Sequence, residues 1–168
     1  MSFSLVPRQM TRSIYTIDLA ALQARGVKVI FADLDNTLAR YSERQPAQEL
    51  RAWLSGAQAR GFRLFVVSNS RKSTRADEFC RALGVPYIKH AGKPKRKGFD
   101  RALAQCGVDR EEAVMVGDQI FTDILGANRS GIFSILVRPI ANDTIFRRLR
   151  HAIEAPMRWG CKDKEGWT

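Results

Sequence analysis

The sequence predicts an α/β fold, a doubly wound parallel sheet in three layers with helices on both faces. Short apolar runs alternate five times with helical patterns, which is how βαβ units read in a sequence. The runs richest in Val, Ile and Phe show no polar alternation, as expected for strands covered on both faces. Three of the runs are followed at once by polar clusters, at the strand ends where an open parallel sheet holds its ligands.

The elements come in order along the chain. Val27 to Ala32 is the first strand. Ala47 to Arg60 places Leu50, Trp53, Leu54 and Ala57 on one helical stripe and stops at Gly61. Arg63 to Val67 is the second strand, and Arg71 to Leu83 is a helix with Phe79, Ala82 and Leu83 inward, ended by Gly84 and Pro86. Pro86 to Lys89 is a short third strand and Gly98 to Cys106 a short helix. Ala113 to Val116, a helix over Asp123 to Arg129, and Phe133 to Val137 complete the core, about 25–140. The remainder, 141–168, reads as an amphipathic helix and a loose polar tail. Ile145, Leu149, Ile153 and Met157 recur every four residues to cover the sheet, and Arg147, Arg148 and Arg150 are left to meet anionic headgroups.

Composition bounds the rest. With 168 residues, one domain is expected at roughly 150 residues per domain. A hydrophobic fraction of 45% argues against disorder. Cys80, Cys106 and Cys161 are widely spaced with no CxxC, so neither a disulfide framework nor a zinc knuckle is indicated. No apolar run approaches the roughly 18 residues that span a bilayer, and the first ten residues lack a signal peptide's apolar region. The expectation is a cytoplasmic protein with room for peripheral membrane contact. A net charge of +11 favours acidic partners: a phosphorylated substrate, an anionic lipid or nucleic acid.

The polar clusters carry the chemistry. Asp33-Leu34-Asp35-Asn36-Thr37 follows the first strand, Ser68-Asn69-Ser70 the second, and Gly117-Asp118-Gln119-Ile120-Phe121-Thr122-Asp123 the fourth. Lys93-Pro94-Lys95-Arg96-Lys97 lies between the last two. In a parallel sheet all four project from one edge, gathering carboxylates, a hydroxyl and a lysine in one crevice. Carboxylates there need a cation or a shared proton, and oxygen ligands select a hard cation such as Mg²⁺. Cation and lysine can clamp a phosphoryl group while one aspartate attacks it and a second moves the proton.

The order DxDxT, Ser-Asn, Lys-Pro, GDxxxTD resembles the haloacid dehalogenase phosphatase superfamily across its four motifs. The phrases ADLDNTL, VVSNS, GVPYIKHAGKP and GDQIFTDILGANRSG are similar to its YqeG-like branch of IIIA phosphatases. The resemblance implies Asp33 as nucleophile and Mg²⁺ ligand, and Asp35 as general acid/base binding metal through its carbonyl. Thr37 would steady the motif loop at the substrate. Ser68 and the Asn69 backbone would hold phosphoryl oxygens, and Lys93 would neutralise charge. Asp118 and Asp123 would complete the metal site. Spacing alone does not choose among Lys93, Lys95 and Lys97.

Rival readings fit less well. A calcium loop wants Gly and Glu where this chain has Leu38 and Arg44. A response-regulator receiver wants its acceptor aspartate where Ser68-Asn69 stands. A basic RNA- or ribosome-associated module lacks an aromatic platform. Relatives of the resembled family often carry a cap domain between these motifs, but here the intervals hold little more than a helix, so the site should be uncapped and open. Eukaryotic relatives dephosphorylate phosphatidylglycerophosphate, which makes that lipid the leading substrate, with a soluble phosphate ester as the alternative. Oligomeric state is not legible in the sequence.

Overall fold

A computed structural model describes residues 4–70, 74–141, 153–164 and 167. Six strands form one parallel sheet: β1 (Gln9–Thr11), β2 (Val29–Ala32), β3 (Arg63–Val67), β4 (Tyr87–Ile88), β5 (Ala113–Gly117) and β6 (Phe133–Val137). Their order is β1-β6-β5-β2-β3-β4. The chain winds outward from β2 in one direction through β3 and β4, then returns to its other side through β5 and β6. The topological switch point therefore lies between β2 and β5, where Ala32 pairs with Val116.

Alternate residues of each strand feed opposite faces. Ile30, Ala32, Leu64, Val66, Val114 and Val116 pack against α1 (Leu19–Ala24), α2 (Gln48–Ala59) and α3 (Thr74–Leu83), which contribute Leu22, Leu50, Leu54, Phe79 and Leu83. Val29, Phe31, Phe65, Val67 and Met115 meet α4 (Arg96–Cys106) and α5 (Leu125–Ser130) through Phe99, Ala102 and Ala127. Phe31 and Phe65 pair edge to face, 5.8 Å between centroids. Burial on both faces is why the strands show no alternation.

Edge elements differ from expectation. β1 was not expected, because three residues at a sheet edge carry too little pattern to read. The first strand begins at Val29 rather than Val27, because the Val27 N–H closes the end of α1 on the Leu22 carbonyl. The helix expected over Asp123 to Arg129 starts earlier, as five residues of π-helix, Ile120–Ile124, that run into α5. Asn128 fastens the N-terminal segment: its amide donates to the Ser4 and Val6 carbonyls and accepts from Ser134.

Most of the expected C-terminal helix, residues 145–152, lies outside the described residues. Beyond it the chain departs from the expected stripe. Ile153 is 54% exposed, while Glu154 is buried and accepts the Ile120 N–H at 3.0 Å. Satisfying that buried donor turns Glu154 inward and Ile153 out. A short helix, α6 (Ala155–Trp159), then leads to a tail that is tied down rather than loose over 161–164. Cys161 is buried, and the Asp163 carbonyl accepts the Met10 N–H of β1 at 2.8 Å. Among the described residues no helix is long and apolar enough to cross a membrane.

Candidate active site

The crevice is built at the switch point. The Asp33 N–H donates to the Val116 carbonyl at 3.0 Å, so the β2 ladder continues one residue and leaves Asp33 beside Gly117, with Asp118 next along. After Asp35 the chain must turn at once. Asn36 takes a left-handed conformation (φ 63°) that asparagine tolerates better than most residues. The Asn36 N–H then closes on the Ala39 carbonyl at 2.8 Å.

Asp33, Asp118 and Asp123 are all buried, and each presents a carboxylate oxygen within 4.8 Å of the others. Thr37 donates to Asp118 Oδ1 at 3.3 Å. The Gln119 N–H donates to Asp123 Oδ2 at 3.2 Å, fixing that carboxylate at the start of the π turn. Three clustered carboxylates are a hard-cation donor set, and a divalent cation fits them.

The lysine ambiguity resolves in the geometry. Lys93 Nζ lies 2.6 Å from Asp33 Oδ1 and 2.7 Å from Asp123 Oδ1, its side chain 1% exposed, while Lys95 and Lys97 are exposed at the surface. Burial by itself pushes the Lys93 ammonium towards losing its proton. The opposed fields of Asp123 and Asp33 outweigh it and hold the ammonium above the ordinary lysine range. Asn69 sets the backbone here: its amide donates to the Lys93 carbonyl at 2.9 Å and accepts the Lys93 N–H at 2.8 Å.

A cavity of about 370 Å³ opens over these groups, lined by Asp33, Asp35, Tyr41, Asn69, Ser70, Lys93, Gln119 and Thr122. Thr37 and Ser68 stand behind that lining, both buried, with Ser68 Oγ accepting the Ser70 N–H at 3.1 Å. Burial, then the nearby Asp33 charge, raise the Asp35 carboxyl above its usual range against the pull of Arg75. A carboxyl so raised is suited to delivering a proton. Arg75 and Tyr41 lie outside every cluster read in the sequence, while Gln119 and Thr122 lie inside the Gly117–Asp123 cluster with no role of their own assigned there. An arginine in a first helical turn and a loop tyrosine read as solvated residues, and nothing in their spacing says otherwise.

Burial pushes the Asp123 carboxyl up to about 6, with Lys93 opposing and Asp33 reinforcing the rise. In the cation-free protein this group is protonated more readily folded than unfolded. Its contribution to stability is full below about pH 4 and is lost as pH rises through about 6. A cation must displace that proton, so its affinity should fall about tenfold per pH unit below about pH 6. Calorimetric Mg²⁺ titrations at about pH 5 and about pH 7 check this, and equal affinities would remove Asp123 as the titrating ligand.

Gly117 explains the first letter of its motif. A Cβ there would lie 2.5 Å from Asp123 Cβ and Cγ, inside any real contact. Gly117→Ala should cost about 1–3 kcal/mol of stability, as overpacking does, and weaken cation binding by displacing Asp123. Thermal melts with and without Mg²⁺ read both effects.

Comparison with known proteins places the family and the fold. Residues 6–131 match the family model described as haloacid dehalogenase-like hydrolase. Probable phosphatase YqeG of Bacillus subtilis (strain 168) is 35% identical over 150 residues, 89% of this chain and 87% of that protein. Phosphatidylglycerophosphate phosphatase 1, chloroplastic, of Chlamydomonas reinhardtii is 32% identical over 143 residues, 80% of this chain but 53% of that protein, so the match spans about half its length. A crystal structure from Listeria monocytogenes serotype 4b shares the fold at TM-score 0.57 and 21% identity, covering 71% of this chain and 84% of that one.

Proposed function

This chain belongs to the haloacid dehalogenase-like hydrolases and is a phosphoric monoester hydrolase; from that premise we propose that it works through an aspartyl-phosphate on Asp33 and acts on a lipid phosphate, phosphatidylglycerophosphate first. The observation that carries the mechanism is the buried Lys93 ammonium held between Asp33 and Asp123 at the switch point. Bound Mg²⁺, held by Asp33, Asp118, Asp123 and the Asp35 carbonyl, would supply charge neutralisation at the transferred phosphoryl group. Asp33 Oδ attacks phosphorus and the ester P–O bond breaks. The Asp35 carboxyl gives its proton to the departing alkoxide, and the resulting carboxylate takes a proton from the water that attacks the acyl phosphate. Lys93 offsets the charge gathered on Asp33 and the phosphoryl oxygens. Ser68 and Asn69 hold the loop that faces them.

Several observations support a lipid. Among the described residues one helix separates β2 from β3 and one separates β3 from β4, so neither interval holds a cap domain. Four large hydrophobic side chains are exposed among the described residues: Tyr41, Ile140, Ile153 and Trp159. Tyr41 lines the cavity, Ile140 donates its N–H to the Asn36 carbonyl, and Ile153 precedes the Glu154 that holds Ile120. Exposed apolar side chains, one of them lining an open site, on a chain of net charge +11 suit an anionic bilayer surface. The names of the chloroplast relatives agree.

The test is phosphate release, with and without Mg²⁺, from micellar phosphatidylglycerophosphate and from soluble sugar, nucleotide and aryl phosphates. Mg²⁺-dependent turnover with kcat/KM highest on the lipid is expected. Turnover confined to soluble esters would discard the lipid and keep the phosphatase.

A further inference from the structure

Arg75 belongs to no motif, lines no part of the cavity, and is 8% exposed in the first turn of α3. A buried guanidinium is costly unless its donors are met, and here all three nitrogens are. Nη1 donates to Asp35 Oδ1 at 2.5 Å, Nη2 to the Arg40 carbonyl at 2.6 Å, and Nε to the Glu43 carbonyl at 2.7 Å. Its carbon also lies 5.5 Å from the centre of the Tyr41 ring.

Two of those partners, Asp35 and Tyr41, line the cavity, and the other two lie beside Tyr41 in the chain. Asp35 is the proton donor of the proposed mechanism. Arg40 and Glu43 bracket Tyr41, the aromatic residue of the cavity wall. The segment holds itself only weakly: the Arg40 N–H reaches the Glu43 carboxylate, and the Glu43 N–H the Arg40 carbonyl, in a single exposed turn. Two ties run from this region to the helix after β3: the exposed Arg44–Glu78 pair at 3.2 Å and the buried planar fork of Arg75, which holds the turn's own carbonyls. A fork of fixed geometry that grips a carboxylate and two carbonyls sets their relative positions, and a lysine could reach only one of them.

We propose that Arg75 is the positioning residue of this site, locking the Asp35 carboxyl and the Arg40–Glu43 segment where the leaving alcohol must depart. The inference rests on the phosphatase reading and adds to it a residue that never touches substrate. It also gives an uncapped enzyme a fixed wall beside its leaving group, where other architectures place a separate domain. Misplacing a proton donor matters in proportion to how badly the leaving group needs a proton. Loss of Arg75 should therefore be selective across substrates that share a phosphate and differ in the alcohol.

The experiment measures kcat/KM, which reports steps up to formation of the phosphoenzyme, for a series from 4-nitrophenyl phosphate to unsubstituted phenyl phosphate. Wild type, Arg75→Gln, Arg75→Lys and Asp35→Asn are compared, each with its melting curve. Arg75→Gln should lose about thirtyfold or more on phenyl phosphate and less than about threefold on 4-nitrophenyl phosphate, a smaller version of the Asp35→Asn pattern. Arg75→Lys should fall between Arg75→Gln and wild type, and it carries the test if Arg75→Gln does not fold. An equal loss along the series, or none, overturns the positioning role and leaves a structural ion pair. If Asp35→Asn itself shows no dependence on the leaving group, the assignment of Asp35 as acid fails, and Arg75's role fails with it. Should all four proteins, wild type included, release no phosphate, the fault lies in the phosphatase reading rather than in Arg75.

Discussion

Asp33→Asn should abolish phosphate release, by about 10⁴-fold or more, while leaving the fold intact. The loss is large because covalent catalysis has no substitute nucleophile here: an amide oxygen cannot carry the phosphoryl group through an acyl phosphate. The fold survives because the change is isosteric and because Lys93 keeps Asp123 as its partner at 2.7 Å. Removing one of three carboxylates packed within 4.8 Å also relieves like-charge repulsion. The cation-free melting temperature should therefore match or exceed that of wild type. The rise in melting temperature that Mg²⁺ brings should shrink, since a ligand is gone. Phosphate release within about tenfold of wild type would remove Asp33 as nucleophile. A lost melt would instead show that the Asp33–Lys93 pair is structural.

Much of this site was legible in the sequence because its residues are fixed by strand ends. A buried parallel strand shows an unbroken apolar run, and where that run stops at Asp33, Ser68 or Gly117 the chain has reached the sheet edge. Three such stops with polar clusters define a crevice from the sequence pattern alone. Contacts that depend on how far a side chain reaches across the fold were not legible. The choice of Lys93 over Lys95 and Lys97 depends on which side chain points down between Asp33 and Asp123. Arg75 was hidden because its partners lie 32 to 40 residues away and two of them are backbone carbonyls, which have no sequence identity to read. The inward Glu154 was hidden for a related reason: it answers a single buried donor, the Ile120 N–H, rather than a periodic pattern.

Lys93→Met should be the most destabilising single change in the crevice, and its cost should depend on divalent cation. In the cation-free protein the Lys93 ammonium is what neutralises Asp33 and Asp123, and its side chain is 1% exposed. Methionine keeps the volume but strands those carboxylates, and breaking a buried pair from one side costs about 3–5 kcal/mol. Two routes can relieve the strain. Asp123, whose carboxyl is already pushed up to about 6, can keep its proton to higher pH, so the deficit should be smaller at acid pH and grow as pH rises. Alternatively a cation can take up the charge that the ammonium carried. Mg²⁺ should therefore raise the melting temperature of Lys93→Met by more than it raises wild type, where lysine and cation share the same carboxylates. Activity should not return with stability: without the ammonium, charge on the phosphoryl oxygens and Asp33 goes unopposed, and a loss of about 10²–10³ in kcat is expected even at saturating Mg²⁺. Lys95→Ala and Lys97→Ala, both at exposed positions, should melt and turn over within about twofold of wild type. Equal Mg²⁺ shifts in Lys93→Met and wild type would mean that the cation does not sit among Asp33, Asp118 and Asp123.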